Sequence, residues 1–271
     1  CLRWRIETFH KILKSGLKVE ACRLGTAERL IRYLTVMSII AWRGTDSKED
    51  TLKQYRSYIE DKVLVGGSFG EVSGNLYVAC VIGCLTGRDN HIMYESLYGI
   101  PVGLAHVHEY IFEDLFATNE SLGKEWSYEF LDVIKEDSDL NLVKNQLILW
   151  ILDNPDYGLL NHPISDEFKS ITGEVINLHK RVIGGEIISA EEWDITLKKT
   201  WKSKQIGPYD RPAIETLRLS AAYLIPDNAG VLIYQMASYL ERKNIIPWNE
   251  YSSIVSKKVL DLLANAPLVT R

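Results

Sequence analysis

Several clusters in this chain have residue types and spacing that could do chemistry. Near the start, Arg3, Glu7, His10 and Lys14 recur at helical intervals. At about 100° per residue, with Arg3 at zero, Glu7 falls near ~40°, His10 near ~340° and Lys14 near ~20°. One carboxylate thus lies on a line with cations, beside an apolar face of Leu2, Ile6, Phe9 and Leu13. Taken alone, this is a surface helix whose ion pairs contribute about 0.3–0.5 kcal/mol each. Further on, His106-Val-His108-Glu109 with Glu113 is the best metal-like set outside this segment. On a helix His106, Glu109 and Glu113 share a face and His108 points away, and no second His-rich motif supplies a four-ligand site. Val65-Gly-Gly-Ser-Phe-Gly-Glu-Val72 imitates a kinase glycine-rich loop, but Val65 replaces the first glycine. Neither Ala-x-Lys, His-Arg-Asp nor Asp-Phe-Gly follows, so the glycines read as a turn-rich loop.

The elements that must position these groups are mostly helices. Polar Gly44–Asp50 marks a junction, and a short polar helix through Tyr55 and Ile59 follows. The apolar run Leu76–Leu85 fits either a strand or a buried helix. Beyond it the periodicity predicts helices over Pro101–Phe116, Leu122–Lys135, Leu140–Leu152, Ile164–Val182, Ala190–Lys202, Arg211–Tyr223, Asp227–Lys243 and Trp248–Asn265. Ser189-Ala-Glu-Glu192 is a capping box. The expected fold is all-α or nearly so: an N-terminal αα-hairpin, then a multi-helix domain with one Gly-rich loop. Trp126, Trp150, Trp193 and Trp201 sit at positions expected to pack.

Charge divides the chain. Residues 1–43 hold nine Lys/Arg against three acids, and the remainder holds 22 basic against 33 acidic residues. The basic part suits a phosphate backbone and the acidic part would be repelled by one. Four cysteines, Cys1, Cys22, Cys80 and Cys84, are too few and scattered for a disulfide framework. Cys80 and Cys84 read as small buried hydrophobes on a shared helix face, and a cytoplasmic, reducing setting is expected. No apolar run approaches the ~20 residues of a membrane span, so no membrane partner is expected.

Arg3-x3-Glu7-x6-Lys14 resembles the Tyr-x2-Arg-x3-Glu-x6-Lys signature of bacterial DDE cut-and-paste transposases, whose Tyr would fall one residue before Cys1. On that likeness the reading frame is expected to begin upstream. Leu2–Gly16 and the segment Glu28–Arg32 through Ile40–Arg43 resemble the same family. The resemblance implies that Glu7 is the third metal-binding carboxylate of an Asp-Asp-Glu catalytic set, with Mg²⁺ as cofactor. It also implies that Arg3 and Lys14 contact phosphates of transposon-end DNA. The two catalytic aspartates precede this segment in the family and have no counterpart in the sequence. One carboxylate cannot hold a two-metal site, so this chain is expected to bind no metal and not to cut DNA alone.

The acidic part resembles an uncharacterised bacterial helical family at Tyr94–His106, Ile111–Glu113 and Ser189–Trp193. Some comparable helical proteins are immunity proteins that bind toxins. The expected organisation is a transposase-like fragment at 1–43, a linker or short helix at 44–62 and an acidic helical domain at 63–271. Two functions follow as expectations. One is a truncated transposase-like protein, a DNA-binding remnant fused to a helical domain. The other is a cytoplasmic protein-binding or immunity-type module, with a protein partner for 63–271 and residues 1–43 as passenger.

Overall fold

The computed structural model describes residues 48–67, 71–73, 76–87, 90–162, 165–202, 210–222 and 228–268. The N-terminal hairpin expected at residues 1–43 lies outside them. Among the described residues there are eleven α-helices and one short two-stranded antiparallel sheet, which is a nearly all-α fold. Contacts divide the chain into two compact units, Cys1–Ala105 and His106–Arg271.

In the first unit, α1 (Lys48–Glu60) is mostly polar and buries Tyr55. Strands β1 (Glu71–Ser73) and β2 (Leu76–Val78) pair in register, Glu71 opposite Val78. Gly67 turns with φ +72°, a conformation that favours glycine, which answers the turn expected of the Gly-rich loop. The run Leu76–Leu85 is neither all strand nor all helix. It forms β2, a parallel bridge from Ala79 to Leu64, and then α2 (Val81–Thr86). Cys80 and Cys84 are both buried. The Cys84 thiol leans on the Ala79 carbonyl at 3.4 Å, and burial pushes it up to about 12. Helix α3 (His91–Tyr98), absent from the sequence reading, is capped by Asn90, whose side chain accepts from the Met93 amide at 3.2 Å. The Tyr98 hydroxyl donates to the Leu85 carbonyl at 2.7 Å and ties α3 to α2.

The division between units falls inside α4 (Val102–Thr118). The second unit continues with α5 (Glu120–Asp132), α6 (Val143–Asp153), α7 (Asp166–Ile183), α8 (Ala190–Lys202), α9 (Arg211–Ala221), α10 (Asn228–Arg242) and α11 (Trp248–Ala264). These lie within a few residues of the helices predicted from periodicity. Their starts have local causes. Asn119 accepts from the amides of Ser121 and Leu122, and Ser165 accepts from that of Phe168. In α7, Asp166 and Glu167 occupy the first turn and Lys180 and Arg181 the last, both favourable to the helix dipole. Half of the expected capping box is present. Ser189 accepts from the Glu192 amide at 3.1 Å, while the Glu192 carboxylate is taken by Arg181.

Apolar stripes then bring the helices together. Phe168, Ile171, Val175 and Ile176 of α7 are buried, as are Leu147, Ile148 and Ile151 of α6, on which α7 packs. The α9–α10 pair closes through small and aliphatic residues: Ala213, Leu217, Ser220 and Ala221 on one side, Leu232, Ile233, Met236 and Ala237 on the other. Trp126 of α5 is buried and donates its indole N–H to the Ser256 carbonyl of α11 at 3.2 Å. Downstream of α11, the Pro267 carbonyl accepts from the Asp139 amide at 2.6 Å, and Leu268 bridges to Ser138. Trp126 and Trp193 pack in the core as expected, but Trp201 is 63% exposed. No described helix is long and apolar enough to cross a membrane.

Candidate functional site

The candidate residues implied by the transposase resemblance, Arg3, Glu7 and Lys14, lie outside the described residues. The histidines can be placed. His108 belongs to the buried stripe of α4 with Leu104, Ile111, Phe112 and Leu115, and it is 0% exposed. Its ring stacks on Phe130 with centroids 3.9 Å apart and meets Trp126 edge-on at 5.6 Å. Nε2 lies 2.6 Å from the Ser127 hydroxyl. Burial holds its pKa down to about 3, against a hydrogen bond at Ser127 that favours the charged ring. His108 therefore packs as a neutral ring. His106, Glu109 and Glu113 lie half-buried on other positions of α4. Among the described residues of the second unit, no three His, Cys, Asp or Glu side chains converge as metal ligands.

His179 has a similar role that the sequence reading missed. It lies on the buried stripe of α7 and joins three other helices. Nε2 is 2.9 Å from the Ser220 carbonyl of α9, Nδ1 is 3.0 Å from Asn145 Oδ1 of α6, and the ring lies 5.1 Å from Trp193 of α8. Burial holds its pKa down to about 4; the Ser220 bond opposes this and Lys144 adds to it. A neutral ring facing a carbonyl at Nε2 carries its proton there. A proton on Nδ1 instead would donate to the Asn145 side-chain oxygen, 3.0 Å away.

A cleft of about 560 Å³ lies where α8, α9 and α10 meet. The sequence makes it basic by helical spacing. Arg211, Glu215 and Arg218 recur at i, i+4 and i+7 on α9, and Tyr234, Ser238 and Arg242 at i, i+4 and i+8 on α10. The opposite faces of both helices are buried, so these side chains are turned to the cleft rim. The end of α8 adds Trp201.

The three arginines are committed to different degrees. Arg218 pairs with Glu215 and lies over the Trp201 ring, 4.4 Å from its centroid. Its Nε is buried and has no partner among the described residues. Arg211 and Arg242 are exposed and form no ion pair among the described residues. Glu215 is the one acid among the described lining residues, and it is paired with Arg218. Among the described residues, the Arg211 and Arg242 guanidinium groups are left outside any ion pair, each able to present a planar fork of donors to a carboxylate or a phosphate. Tyr234 is 45% exposed and packs edge-on against Trp248 at 4.8 Å and Tyr110 at 6.3 Å, a rigid aromatic border to the same cleft. Residues 106–271 hold seventeen Lys/Arg against twenty-five Asp/Glu, so this basic cleft opens in an acidic unit.

Sequence reading missed these residues because it treated α9 and α10 as scaffold. The available signal was the recurrence of Arg and Tyr along their polar faces. No known family matches the chain, and no curated protein or solved structure matches it either.

Proposed function

We propose that residues 106–271 act as a helical protein-binding module, and that residues 1–43 are a transposase-like passenger. The cleft between α8, α9 and α10 supports this reading most directly. Two arginines without an ion pair among the described residues and two exposed aromatic rings border it, and Arg, Trp and Tyr are the residues that carry most interface energy. The two buried histidines favour it too, because both are spent on holding helices together and neither faces this cleft. The transposase reading rests on the likeness at Arg3, Glu7 and Lys14 and concerns DNA. It would give weak, salt-sensitive contact with phosphates by residues 1–43, in a chain that is acidic elsewhere.

The two readings separate in one experiment. The full chain is purified under nuclease treatment from cells that encode it, and each co-purifying protein is remixed with it in pure form. A stoichiometric protein complex that survives nuclease supports the module. A chain that forms a stable complex with transposon-end DNA and with no protein supports the transposase remnant and refutes the module.

A further inference from the structure

We infer that the α8–α9–α10 cleft is a socket for a carboxylate anchor, an Asp or Glu side chain presented by an otherwise neutral or basic segment of a partner protein. This rests on the protein-binding reading and adds the place and the chemistry. Three observations lead to it. First, the described lining residues include Arg211, Arg218 and Arg242 with Glu215 as their one acid, and Glu215 is already paired with Arg218. The local excess among the described lining residues is positive. A guanidinium fork matches a carboxylate in two parallel hydrogen bonds.

Second, the surroundings select among anions. The unit has eight more acids than bases, so a polyanion such as nucleic acid meets repulsion over most of its length. A single carboxylate on a neutral or basic segment meets attraction at the cleft and at the acidic surface beyond it. Third, Trp201 and Tyr234 present exposed apolar rings beside the charges. Free phosphate has nothing to offer these rings, whereas the apolar residues flanking an acidic side chain in a peptide do. Trp201 is also held in place by Arg218, so little side-chain freedom is lost on binding.

Trp201 serves as the reporter. The full chain is titrated with a pool of blocked octapeptides carrying two Glu, two Lys and varied apolar residues. The same pool with Gln for Glu, and inorganic phosphate, are titrated in parallel. The expected result is a saturable change in tryptophan fluorescence with the Glu pool, lost in Trp201→Phe. Affinity should fall at least tenfold in the double variant Arg211→Ala, Arg242→Ala. Both residues are exposed, so the fold should be retained, and far-UV circular dichroism checks it. Arg242→Glu tests the sign: it should reject the Glu pool and gain affinity for a pool with Lys at the acidic positions.

An equal response to the Gln pool, or unchanged affinity in the double variant, would overturn the inference. So would saturation by phosphate with the same arginine dependence, or no response to the Glu pool at millimolar concentration. A partner protein that binds wild type and double variant equally overturns the socket and leaves the binding module standing. Failure of any protein to bind, with the Glu pool still bound through Arg211 and Arg242, overturns the module and leaves a carboxylate site.

Discussion

The two buried histidines make stability depend on pH in a defined window. An unfolded chain takes up protons on His108 and His179 below pH 6.5. The folded chain holds them neutral down to about 3 and about 4. Between those limits the unfolded state binds more protons, so stability falls as the pH drops. From pH 7.5 to 4.5 each histidine should cost about 2–3 kcal/mol, and the pair about twice that, a large part of a typical domain's stability. Urea unfolding of the full chain at the two pH values measures this. Tryptophan emission is the natural probe, since Trp126 lies 5.6 Å from His108 and Trp193 lies 5.1 Å from His179. Carboxylates also titrate near pH 4.5, and comparison with variants removes their share. His108→Gln retains a partner for Ser127 and cannot titrate, so it should lose about half of the pH dependence; His179→Gln should lose the other half. The combined variant should keep only the carboxylates' share of the pH dependence. A wild-type loss below about 1 kcal/mol, or Gln variants with the full wild-type slope, would refute the claim that both rings are buried neutral.

Other outcomes are expected from single positions. Gly123 lies where a Cβ would meet the Phe116 backbone at 2.7 Å, so Gly123→Ala should destabilise the second unit by about 1–3 kcal/mol, read as a lower urea midpoint. The Tyr251 hydroxyl is buried with no partner among the described residues, so Tyr251→Phe should leave stability unchanged or raise it by about 1 kcal/mol; a clear loss would show that the hydroxyl is bonded. The Cys84 thiol, buried and pushed up to about 12, should resist alkylation at pH 8 until the chain unfolds, which peptide mass mapping can follow at that residue. Purified chain should neither cut nor join transposon-end DNA with Mg²⁺ or Mn²⁺, and nicking that vanishes in Glu7→Gln would contradict this.

How far the sequence could be read depended on the kind of signal. Periodicity of 3.6 residues with polar breaks set α4 to α11 almost to their ends, because a helix buries one stripe wherever it packs. The Asn and Ser caps and the Gly turns are equally local, and the half-filled box at Ser189 shows where locality stops. The Glu192 backbone obeyed the cap, but its carboxylate went to Arg181, eleven residues away and on another helix. The run Leu76–Leu85 was ambiguous because an apolar decapeptide has no intrinsic period; pairing with Glu71–Ser73 made its first part a strand. Short α3 was missed because eight residues hold barely two turns.

Side-chain roles were decided later in the hierarchy. A histidine on a helix is legible, but whether it titrates depends on what covers it. His108, stacked on Phe130, and His179, packed against Trp193, are held neutral by burial, against the Ser127 and Ser220 hydrogen bonds that favour the charged rings. The cleft is the same case. Helical spacing alone lines up Arg211 with Arg218, and Tyr234 with Arg242. Only the packing of α9 on α10, beside the end of α8, sets those rows around one space and leaves two arginines uncommitted. Periodicity is a property of one helix, whereas burial and charge pairing belong to the contacts between helices. The sequence by itself therefore determined the helices and the sign of their charge, and the tertiary structure decided which charges are free to act.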